Sequence, residues 1–388
     1  GNIYIQDAQL EQGLVARDYI ETTTTAIYGG ITDNVPRLDY TDSSCPALLL
    51  EPQRTNLMTH SEYFDSWTNI EGNTIIANAN QSPEGLQNAY NFIADTTTNY
   101  HRISSGYSVT LGETYTSSVF VKANGYNYFL FRIGGINGAY RNAAFDLTDG
   151  TTSYLDSEFD SSSIVDYGNG WYRVTATFTA TLTGAMTTNI RFQPNDQNNS
   201  SIDQFAGNGT NGGYIYGAQC EEGSYATSYI PTYGSAVTRN QDFQTLDITN
   251  FVSATEGTLF FELKDARSHS ITNKILGIGD GSGVDNFFGL YVNNFSTGAV
   301  SIRNRQANSD LMNTTIPNPN NAKVAIKFGA SGVKTFLNGS EFQSSSTAYT
   351  GWASSFDLQT SCGDLNLKQY MLFPTALTDQ EAIDLTTL

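Results

Sequence analysis

The chain has 388 residues, of which 15% are charged and 12% aromatic, and its formal net charge is −19 at neutral pH. This length is enough for two or three domains that each bury a core, and the acidity excludes a phosphate backbone as the main partner. A hydrophobic fraction of 39% excludes a disordered chain, and the abundance of Tyr, Phe, Thr, Asn, Gly and Ser favours an all-β protein.

Several chemical classes have no support in the sequence. No apolar run is long enough to cross a bilayer, so we expect no membrane insertion. The three cysteines, Cys45, Cys220 and Cys362, have neither zinc spacing nor the pattern of a disulfide framework. The histidines are isolated, and there is no serine in a G-x-S-x-G elbow. We therefore expect no catalytic residues and no cofactor.

The first element in chain order is one copy of an internal repeat. Residues 4–22 (YIQDAQLEQGLVARDYIET) match residues 214–232 (YIYGAQCEEGSYATSYIPT) without a gap, and ten of the nineteen positions are identical. The second copy ends a long strand-rich stretch, whereas no such stretch precedes the first. We therefore predict that residues 1–40 are the closing strand and tail of an upstream module, so that the chain begins one module late.

A closing strand without its module has exposed ladder groups and apolar side chains that need a partner. Two arrangements remain open for residues 1–25. They are a remnant packed against the following sandwich, which we favour, or a strand donated to a neighbouring subunit. Cys220 stands where the first copy has Leu10, which predicts a small buried apolar residue.

Residues 41–55 are predicted to be a connector, and their apolar run between prolines, Ala47–Leu50, is predicted to be a short strand or an extended segment packed between modules. From residue 56 to residue 239, short strand-like runs recur with almost no helical periodicity. In WYRVTATFTAT, for example, Trp171 and Arg173 alternate with Tyr172 and Val174. This pattern predicts a β-sandwich, with a jelly roll as the favoured version.

Residues 240–388 are predicted to form a second sandwich. Their segment KVAIKFGASGVKTFLNG predicts a hairpin that turns at Ala330–Gly332 and ends in an Asn338-Gly339 turn. The terminal ALTDQEAIDLTTL gives a helix signal, in which Thr378 and Glu381 form a capping box. The predicted fold is all-β: two β-sandwich modules preceded by the closing strand of an upstream module.

Several of these segments resemble known families. Residues 240–388 resemble laminin-G/concanavalin-A-like sandwiches in KTFLNG, LKQYMLF and ALTDQEAIDLT. Residues 56–239 resemble the carbohydrate-binding-module-like jelly rolls of bacteriophage tail and fibre proteins in QRTNLMTHSEYFDSWT, SVFVKANGYNYFLFR, GNGWYRVTATFTA and IYGAQCEEGSYATSYIPTYGSAVTR. The connector PRLDYTDSSCPALLLEPQRTNL is similar to those of phage structural proteins.

The resemblance implies a non-enzymatic virion appendage of the tail-fibre or spike type, used for host attachment. The implied partners are a host cell-surface polysaccharide, other virion proteins and further copies of this chain, commonly three, at an extracellular virion surface. Two alternatives remain open. One is a capsid-decoration or filament protein without sugar binding, and the other is a pair of accessory modules of a secreted bacterial glycan-active protein.

Glycan binding uses exposed aromatic rings against sugar faces, with arginines and amides for the hydroxyls. The best candidate is NGYNYFLFRIGGINGAYRN, in which alternation places Tyr126, Tyr128, Leu130 and Arg132 on one face, and Tyr140 and Arg141 are predicted to follow in the next loop. A lesser candidate in the second module is Tyr291 with Arg303, beside Phe287, Phe288 and Arg305. The alternative for these tyrosines is that they edge the core with their hydroxyls in water.

Two groups of acidic residues are candidates for chemical sites. Asp156, Glu158 and Asp160 alternate in LDSEFD, but we expect an exposed loop there rather than a catalytic pair of carboxylates. Asp280 and Asp285 flank a Gly-rich loop whose oxygens suit a structural calcium ion, although a plain turn is the favoured alternative.

Overall fold

The computed structural model describes residues 37–39, 47–195, 204–242, 244–247, 255–266, 274–279, 287–294, 299–307, 309–349, 357–360 and 365–387. The chain divides into two units. The first module comprises Arg54–Arg239, and the second comprises Asn240–Leu388 together with the described part of residues 33–53. The first copy of the repeat, residues 4–22, lies outside the described residues.

Strands make up nearly all of the regular structure. Two precede the first module: β1 (Arg37–Asp39) and β2 (Ala47–Leu50). The strands of the first module are β3 (Arg54–Asn56), β4 (Thr68–Glu71), β5 (Asn73–Asn80), β6 (Ala89–Ala94), β7 (Thr98–Asn99), β8 (Arg102–Val109), β9 (Thr114–Asn124), β10 (Tyr128–Ile136), β11 (Ala139–Asp146), β12 (Thr151–Leu155), β13 (Ser161–Asp166), β14 (Trp171–Thr179), β15 (Gly184–Gln193), β16 (Phe205–Ala206), β17 (Gly212–Glu222) and β18 (Val237–Arg239). The remaining elements are β19 (Gln244–Asp247), β20 (Gly257–Ala266), β21 (Lys274–Gly279), β22 (Phe287–Asn294), β23 (Ala299–Gln306), β24 (Ser309–Thr315), β25 (Lys323–Gly329), β26 (Gly332–Leu337), β27 (Ser340–Ser345), β28 (Asp357–Thr360), β29 (Leu365–Phe373) and helix α1 (Asp379–Thr386).

Two antiparallel sheets form the first module. Sheet 1 has the order β12-β11-β10-β15-β8-β4, and sheet 2 has the order β13-β14-β9-β17-β6-β5. The pairs β6·β17, β8·β15, β9·β14 and β10·β11 are nested along the chain, which is the strand pairing of a jelly roll. The predicted jelly roll is confirmed for this module.

The core of the first module lies between the two sheets. In β10, Phe129, Phe131 and Ile133 are almost completely buried against Val119 and Val121 of β9. Because side chains alternate along a strand, Tyr128, Leu130, Arg132 and Gly134 lie on the outer face of sheet 1, up to the register shift that returns Ile136 to the core. That outer face carries three of the candidate glycan-binding residues, Tyr128, Arg132 and Tyr140.

The second module is also a sandwich. Sheet 3 has the order β1-β2-β29-β20-β25-β26-β27, and sheet 4 has the order β19-β28-β21-β22-β23-β24. Their inner faces share one apolar core, which includes Leu259, Phe261, Leu276, Phe288, Leu290, Ile302, Val324 and Ile326. The predicted hairpin is confirmed by the pairing of Gly329 with Gly332, and the following turn by positive φ angles at Asn338 and Gly339. The all-β sandwich fold is therefore confirmed in both modules.

Ala47–Leu50 is a strand, one of the two predicted alternatives, but residues 37–39 and 47–50 belong to the second module and are not a tail and a connector. β2 pairs with β29, and β1 pairs with β2, so both strands extend sheet 3 of the second module. Leu50 is buried in that core, and Arg37 contacts the carboxylates of Glu51 and Asp242. A proline-bounded apolar run has the same local pattern in a strand inside a sheet as in an extended connector, so the sequence did not distinguish them.

Helix α1 begins as predicted. Thr378 is its N-cap, and the capping box with Glu381 is complete, because each side chain bonds the other residue's backbone N–H. Ala382 packs with Phe260 and Phe336 on the outer face of sheet 3. The helix therefore covers apolar surface on a sheet that would otherwise face water.

We expect Thr378→Ala to lower the free energy of unfolding of the second module by about 1 kcal/mol, because the amide of Glu381 loses its acceptor. Urea unfolding followed by circular dichroism measures this loss. Gln380→Ala is the matched control, since its side chain bonds only Asp384 on the helix surface. We expect a change below about 0.5 kcal/mol for that variant. Equal losses in the two variants would contradict the assigned cap.

The second copy of the repeat folds back against the end of β17. Glu221 is fully buried and accepts hydrogen bonds from Gln219 Nε2 at 2.7 Å and from the backbone N and hydroxyl of Thr227 at 2.7 and 2.6 Å. Gln219 Oε1 accepts from the Ile230 amide at 2.7 Å. Cys220, between them, is fully buried as predicted, and burial raises the pKa of its thiol to about 12.

The same copy also binds the segment that opens the module. The Thr232 amide donates to Ser61 Oγ at 2.7 Å, while the Ser61 amide donates to Thr232 Oγ1 at 3.0 Å. The Tyr229 hydroxyl lies 2.7 Å from Ser61 Oγ, and Asn56 Nδ2 donates to the Ile230 carbonyl at 2.8 Å. Tyr229, Ile230 and Thr232, which are identical in the repeat, therefore join the two ends of the module.

One glycine of the repeat is required by close approach. Gly223 has a φ of 144°, and a Cβ at this position would lie 2.7 Å from Nη2 of Arg54. The Arg54 guanidinium lies over the ring of Tyr225 at 5.6 Å, and its Nε is 3.7 Å from Glu221 Oε2. Gly223, which matches Gly13 in the first copy, therefore leaves the space in which Arg54 reaches the buried carboxylate.

Candidate functional site

The outer face of sheet 1 brings arginine and tyrosine side chains together. Arg132 points outward from β10 because its neighbours Phe131 and Ile133 fill the core. The strand register places Asn189 of β15 beside Arg132, and Ser104 of β8 beside Asn189. We call this surface the Arg132 face, and it consists of Tyr100, Arg102, Ser104, Arg132, Tyr140 and Asn189.

Arg132 and Tyr140 form the centre of this face. The guanidinium carbon of Arg132 lies 4.4 Å from the centroid of the Tyr140 ring, which is a cation–π contact. Tyr140 pairs with Gly134 in the neighbouring strand, and a Cβ on Gly134 would lie 2.5 Å from Cε1 of that ring. The absence of a side chain at Gly134 therefore lets the ring lie across β10, where Tyr140 remains 45% exposed.

Arg102 and Tyr100 form a second pair on the same face. The guanidinium carbon of Arg102 lies 5.4 Å from the Tyr100 ring centroid. Its Nε donates to Glu71 Oε2 of the neighbouring strand β4 at 2.8 Å. The positive charge of Arg102 is therefore compensated inside the module.

Arg132 differs from Arg102 in its partners. Among the described residues, its guanidinium makes no ion pair within 4.0 Å and no hydrogen bond. Burial lowers the pKa of Arg132, and the nearby guanidinium of Arg102 lowers it further, although an arginine stays charged at neutral pH. The face thus combines an uncompensated cation with an exposed aromatic ring.

Asn189 and Ser104 form the floor of the face. Asn189 Nδ2 donates to the backbone carbonyl of Arg132 at 3.0 Å, and Asn189 Oδ1 accepts from Ser104 Oγ. Both residues are buried. Their polar groups are used to join β8, β10 and β15, so the groups left for a ligand are the arginine and tyrosine side chains.

The structure separates two of the predicted residues from the rest. Tyr128 and Arg132 lie on the outer face of sheet 1, as the alternation predicted, and Tyr140 lies there too, although it is in strand β11 and not in the predicted loop. Tyr126 does not, because it lies in the turn before β10, where the strand alternation does not apply. Its ring is only 6% exposed and packs edge-on against Phe205 at 5.7 Å. Tyr126 is therefore a core residue and not a surface contact.

Arg141 is the second exception. It follows Tyr140 within β11 and not in a loop, so its side chain points to the opposite side of the strand. There its Nη2 lies 2.8 Å from Glu158 Oε1. Arg141 is consequently a partner of Glu158 and does not join the Arg132 face.

The other two carboxylates of LDSEFD also have structural partners. Asp156 is buried, contrary to the expected exposed loop, because it accepts from the Asn142 amide and the Tyr154 hydroxyl, both at 2.6 Å. Asp160 accepts from the Thr179 hydroxyl at 2.9 Å. These contacts connect neighbouring strands and explain the alternation of acidic residues without a catalytic pair.

The candidate pair of the second module lies on the outer face of sheet 4. The guanidinium carbon of Arg303 lies 4.9 Å from the Tyr291 ring, but Tyr291 is only 7% exposed. Asp310 lies 3.1 Å from Nε of Arg303 and 2.9 Å from Nε of Arg305. With the ring buried and the charge compensated, this pair offers less to a ligand than the Arg132 face.

Sequence reasoning missed Tyr100 and Arg102 because it did not predict strand β8. The segment RISSGYSV does alternate, since Ile103, Tyr107 and Val109 face the core. The signal is weak because the intervening core position is a serine and Gly106 follows it. Even so, an alternation of apolar and polar residues that is interrupted by one small polar residue is a sufficient signal for a strand.

The described residues contain neither a cluster of metal ligands nor a membrane-spanning helix. Asp280 and Asp285 lie outside the described residues. Within the described ranges, no group of three or more His, Cys, Asp or Glu side chains is placed to hold a metal ion. Among those same residues there is no helix that is long and apolar enough to cross a membrane.

Comparisons with known proteins give no family assignment. No family model matches the chain, and no curated protein matches it. Among solved structures, domains LG4-5 of the mouse laminin alpha1 chain match at 9% identity over 71% of this chain and 89% of that one, with a TM-score of 0.23. A likeness at this TM-score carries no argument, so the fold described above rests on the strand pairing alone.

Proposed function

We propose that this protein is a non-enzymatic attachment protein that binds surface glycans through the Arg132 face of its first module. The observation that carries the proposal is the contact between Arg132, which has no ion pair among the described residues, and the half-exposed ring of Tyr140. Aromatic rings pack against the apolar faces of sugars, and a guanidinium offers several fixed donors to their oxygens.

Binding is favoured over catalysis by the state of the nearby carboxylates. Hydrolysis of a glycosidic bond needs two carboxyl groups, about 5–10 Å apart, that are free to act as acid and base or nucleophile. Asp156, Glu158 and Asp160 each bond a neighbouring side chain or amide instead. Binding of this kind needs no cofactor.

We further propose that the protein belongs to a virion appendage of the tail-fibre or spike type, at the extracellular surface of the particle. The support for this setting is the resemblance of residues 56–239 to the jelly rolls of phage tail and fibre proteins, and of the preceding connector to those of phage structural proteins. There it would contact other virion proteins and a host polysaccharide. Several copies, such as a trimer, would multiply a weak contact at each site.

A glycan array probed with a multimeric sample tests the attachment role. Biotinylated protein on streptavidin supplies the multivalency that weak single sites require. We expect binding to a restricted set of glycans. A blank array with folded multimeric protein would contradict the proposal and favour a capsid-decoration or filament protein without sugar binding.

We expect Tyr140→Ala to weaken glycan binding about tenfold or more, which corresponds to about 1.4 kcal/mol. The variant removes the exposed ring and leaves Arg132 without its aromatic contact. Tyr167→Ala is the matched control, since Tyr167 is 49% exposed against 45% for Tyr140 and packs on Phe120 of the other sheet. Equal losses in the two variants would show that the Arg132 face is not the binding surface.

A further inference from the structure

The arginines of the described residues differ in whether they have an acidic partner. Six of them have a guanidinium nitrogen within 4.0 Å of a carboxylate oxygen: Arg37, Arg54, Arg102, Arg141, Arg303 and Arg305. Pairing of this kind is expected in a chain with 38 acidic residues and 19 basic ones. Arg132 has no such partner among the described residues, although it is half-buried.

The surroundings of Arg132 increase the demand for a negative charge. Arg102 lies close enough to repel it, and the carboxylate of Glu71 is bonded to Arg102. A half-buried charge is less well hydrated than a free one, so it gains more from an opposite charge. The Tyr140 ring supplies only the weaker attraction of a π face.

We propose that the ligand of the Arg132 face is an acidic glycan, whose carboxylate or sulfate group binds Arg132 while the sugar ring packs against Tyr140. This inference rests on the proposed function and specifies its ligand class. Guanidinium groups bind planar or tetrahedral oxyanions through paired N–H donors, and the charge-assisted bonds are stronger than those to sugar hydroxyls. A neutral sugar would leave the charge of Arg132 without compensation.

The long-range field of the protein works against such a ligand. A net charge of −19 repels acidic polysaccharides, but this repulsion is screened beyond about 8 Å at 0.15 M salt. The contact at Arg132 is shorter than this distance and half-buried, so it is screened much less. Binding assays for this ligand class therefore belong at 0.15 M NaCl or above.

An array of matched glycan pairs tests the inference. Each carboxylated glycan is printed beside its carboxyl-reduced form, and each sulfated glycan beside its desulfated form, and both are probed with multimeric protein. We expect signal on acidic members and a loss of about tenfold or more on their neutral counterparts. Carboxylated and sulfated arms distinguish the two sources of charge.

Arg132→Gln and Arg141→Gln complete the test as a matched pair. Both remove one positive charge from the first module, but Arg141 lies on the other side of its strand and binds Glu158. We expect Arg132→Gln to abolish the preference for acidic members and Arg141→Gln to retain it, with thermal unfolding as the check on folding. Equal binding to neutral and acidic members, or a loss shared by both variants, would overturn the inference and leave glycan binding standing. A blank array would contradict both.

Discussion

Glu221→Ala is expected to lower the free energy of unfolding of the first module by about 3–5 kcal/mol, which is the range for breaking a buried charged network. Glu221 is fully buried and receives hydrogen bonds from Gln219 and from both the amide and the hydroxyl of Thr227. Truncation leaves these donors and the guanidinium of Arg54 without their acceptor. The loss is large because every one of these groups is shielded from water.

Calorimetry of the whole chain measures this loss, with the unfolding of the second module as an internal reference. Glu222→Ala is the matched control, because Glu222 is the next residue in β17 and is exposed. We expect a change within about 0.5 kcal/mol for that variant. If both variants lost the same free energy, the repeated segment would not be closing the module through Glu221.

The contribution of Glu221 to the stability of the module depends on pH, and the direction of this dependence follows from its pKa. Burial raises the pKa of Glu221 above its ordinary value of 4.5, in spite of the opposing hydrogen bonds from Thr227. The folded module therefore keeps this proton to higher pH than the unfolded chain. The contribution of Glu221 to stability is complete below pH 4.5 and falls as the pH rises through the folded-state pKa. Glu221→Gln has no such dependence, so the stability of the wild type relative to this variant should fall over that interval.

The repeat shows which features of the fold local sequence predicts and which it does not. Identity at positions such as Glu11/Glu221 and Gly13/Gly223 marked a structural unit correctly, and alternation placed most strands of both sandwiches. The roles of these residues were hidden because their partners are distant. Arg54 precedes Glu221 by 167 positions, and no local pattern predicts that contact.

The candidate site was predicted only in part, because some of its features are local in sequence and others depend on distant partners. Alternation correctly placed Arg132 and Tyr128 on one side of β10, since strand geometry is local. It misplaced Tyr126, which lies in the preceding turn, and Arg141, which is in a strand and not a loop. Whether an arginine has a carboxylate beside it depends on strand pairing, so the contrast between Arg102 and Arg132 appears only in the folded module.

Gly134→Ala is expected to weaken glycan binding about as much as Tyr140→Ala, by about tenfold or more, although it substitutes no residue of the Arg132 face. The new Cβ would lie 2.5 Å from Cε1 of Tyr140 and 2.7 Å from Thr187 Oγ1, so the ring has to leave its place across β10. Once displaced, it no longer lies 4.4 Å from the Arg132 guanidinium, and the ligand loses the paired surface.

Gly106→Ala is the matched control for Gly134→Ala, because the same substitution in strand β8 of sheet 1 meets only the Met186 carbonyl at 3.6 Å, an ordinary contact. We expect it to bind glycan as the wild type does. The double variant Gly134→Ala with Tyr140→Ala should bind no more weakly than Tyr140→Ala alone, since both changes remove the same contact. Additive losses would mean that Gly134 acts on binding through something other than the Tyr140 ring. Non-additive losses, together with a retained thermal transition, would mean that Gly134 acts on binding by leaving the Tyr140 ring in its position over β10.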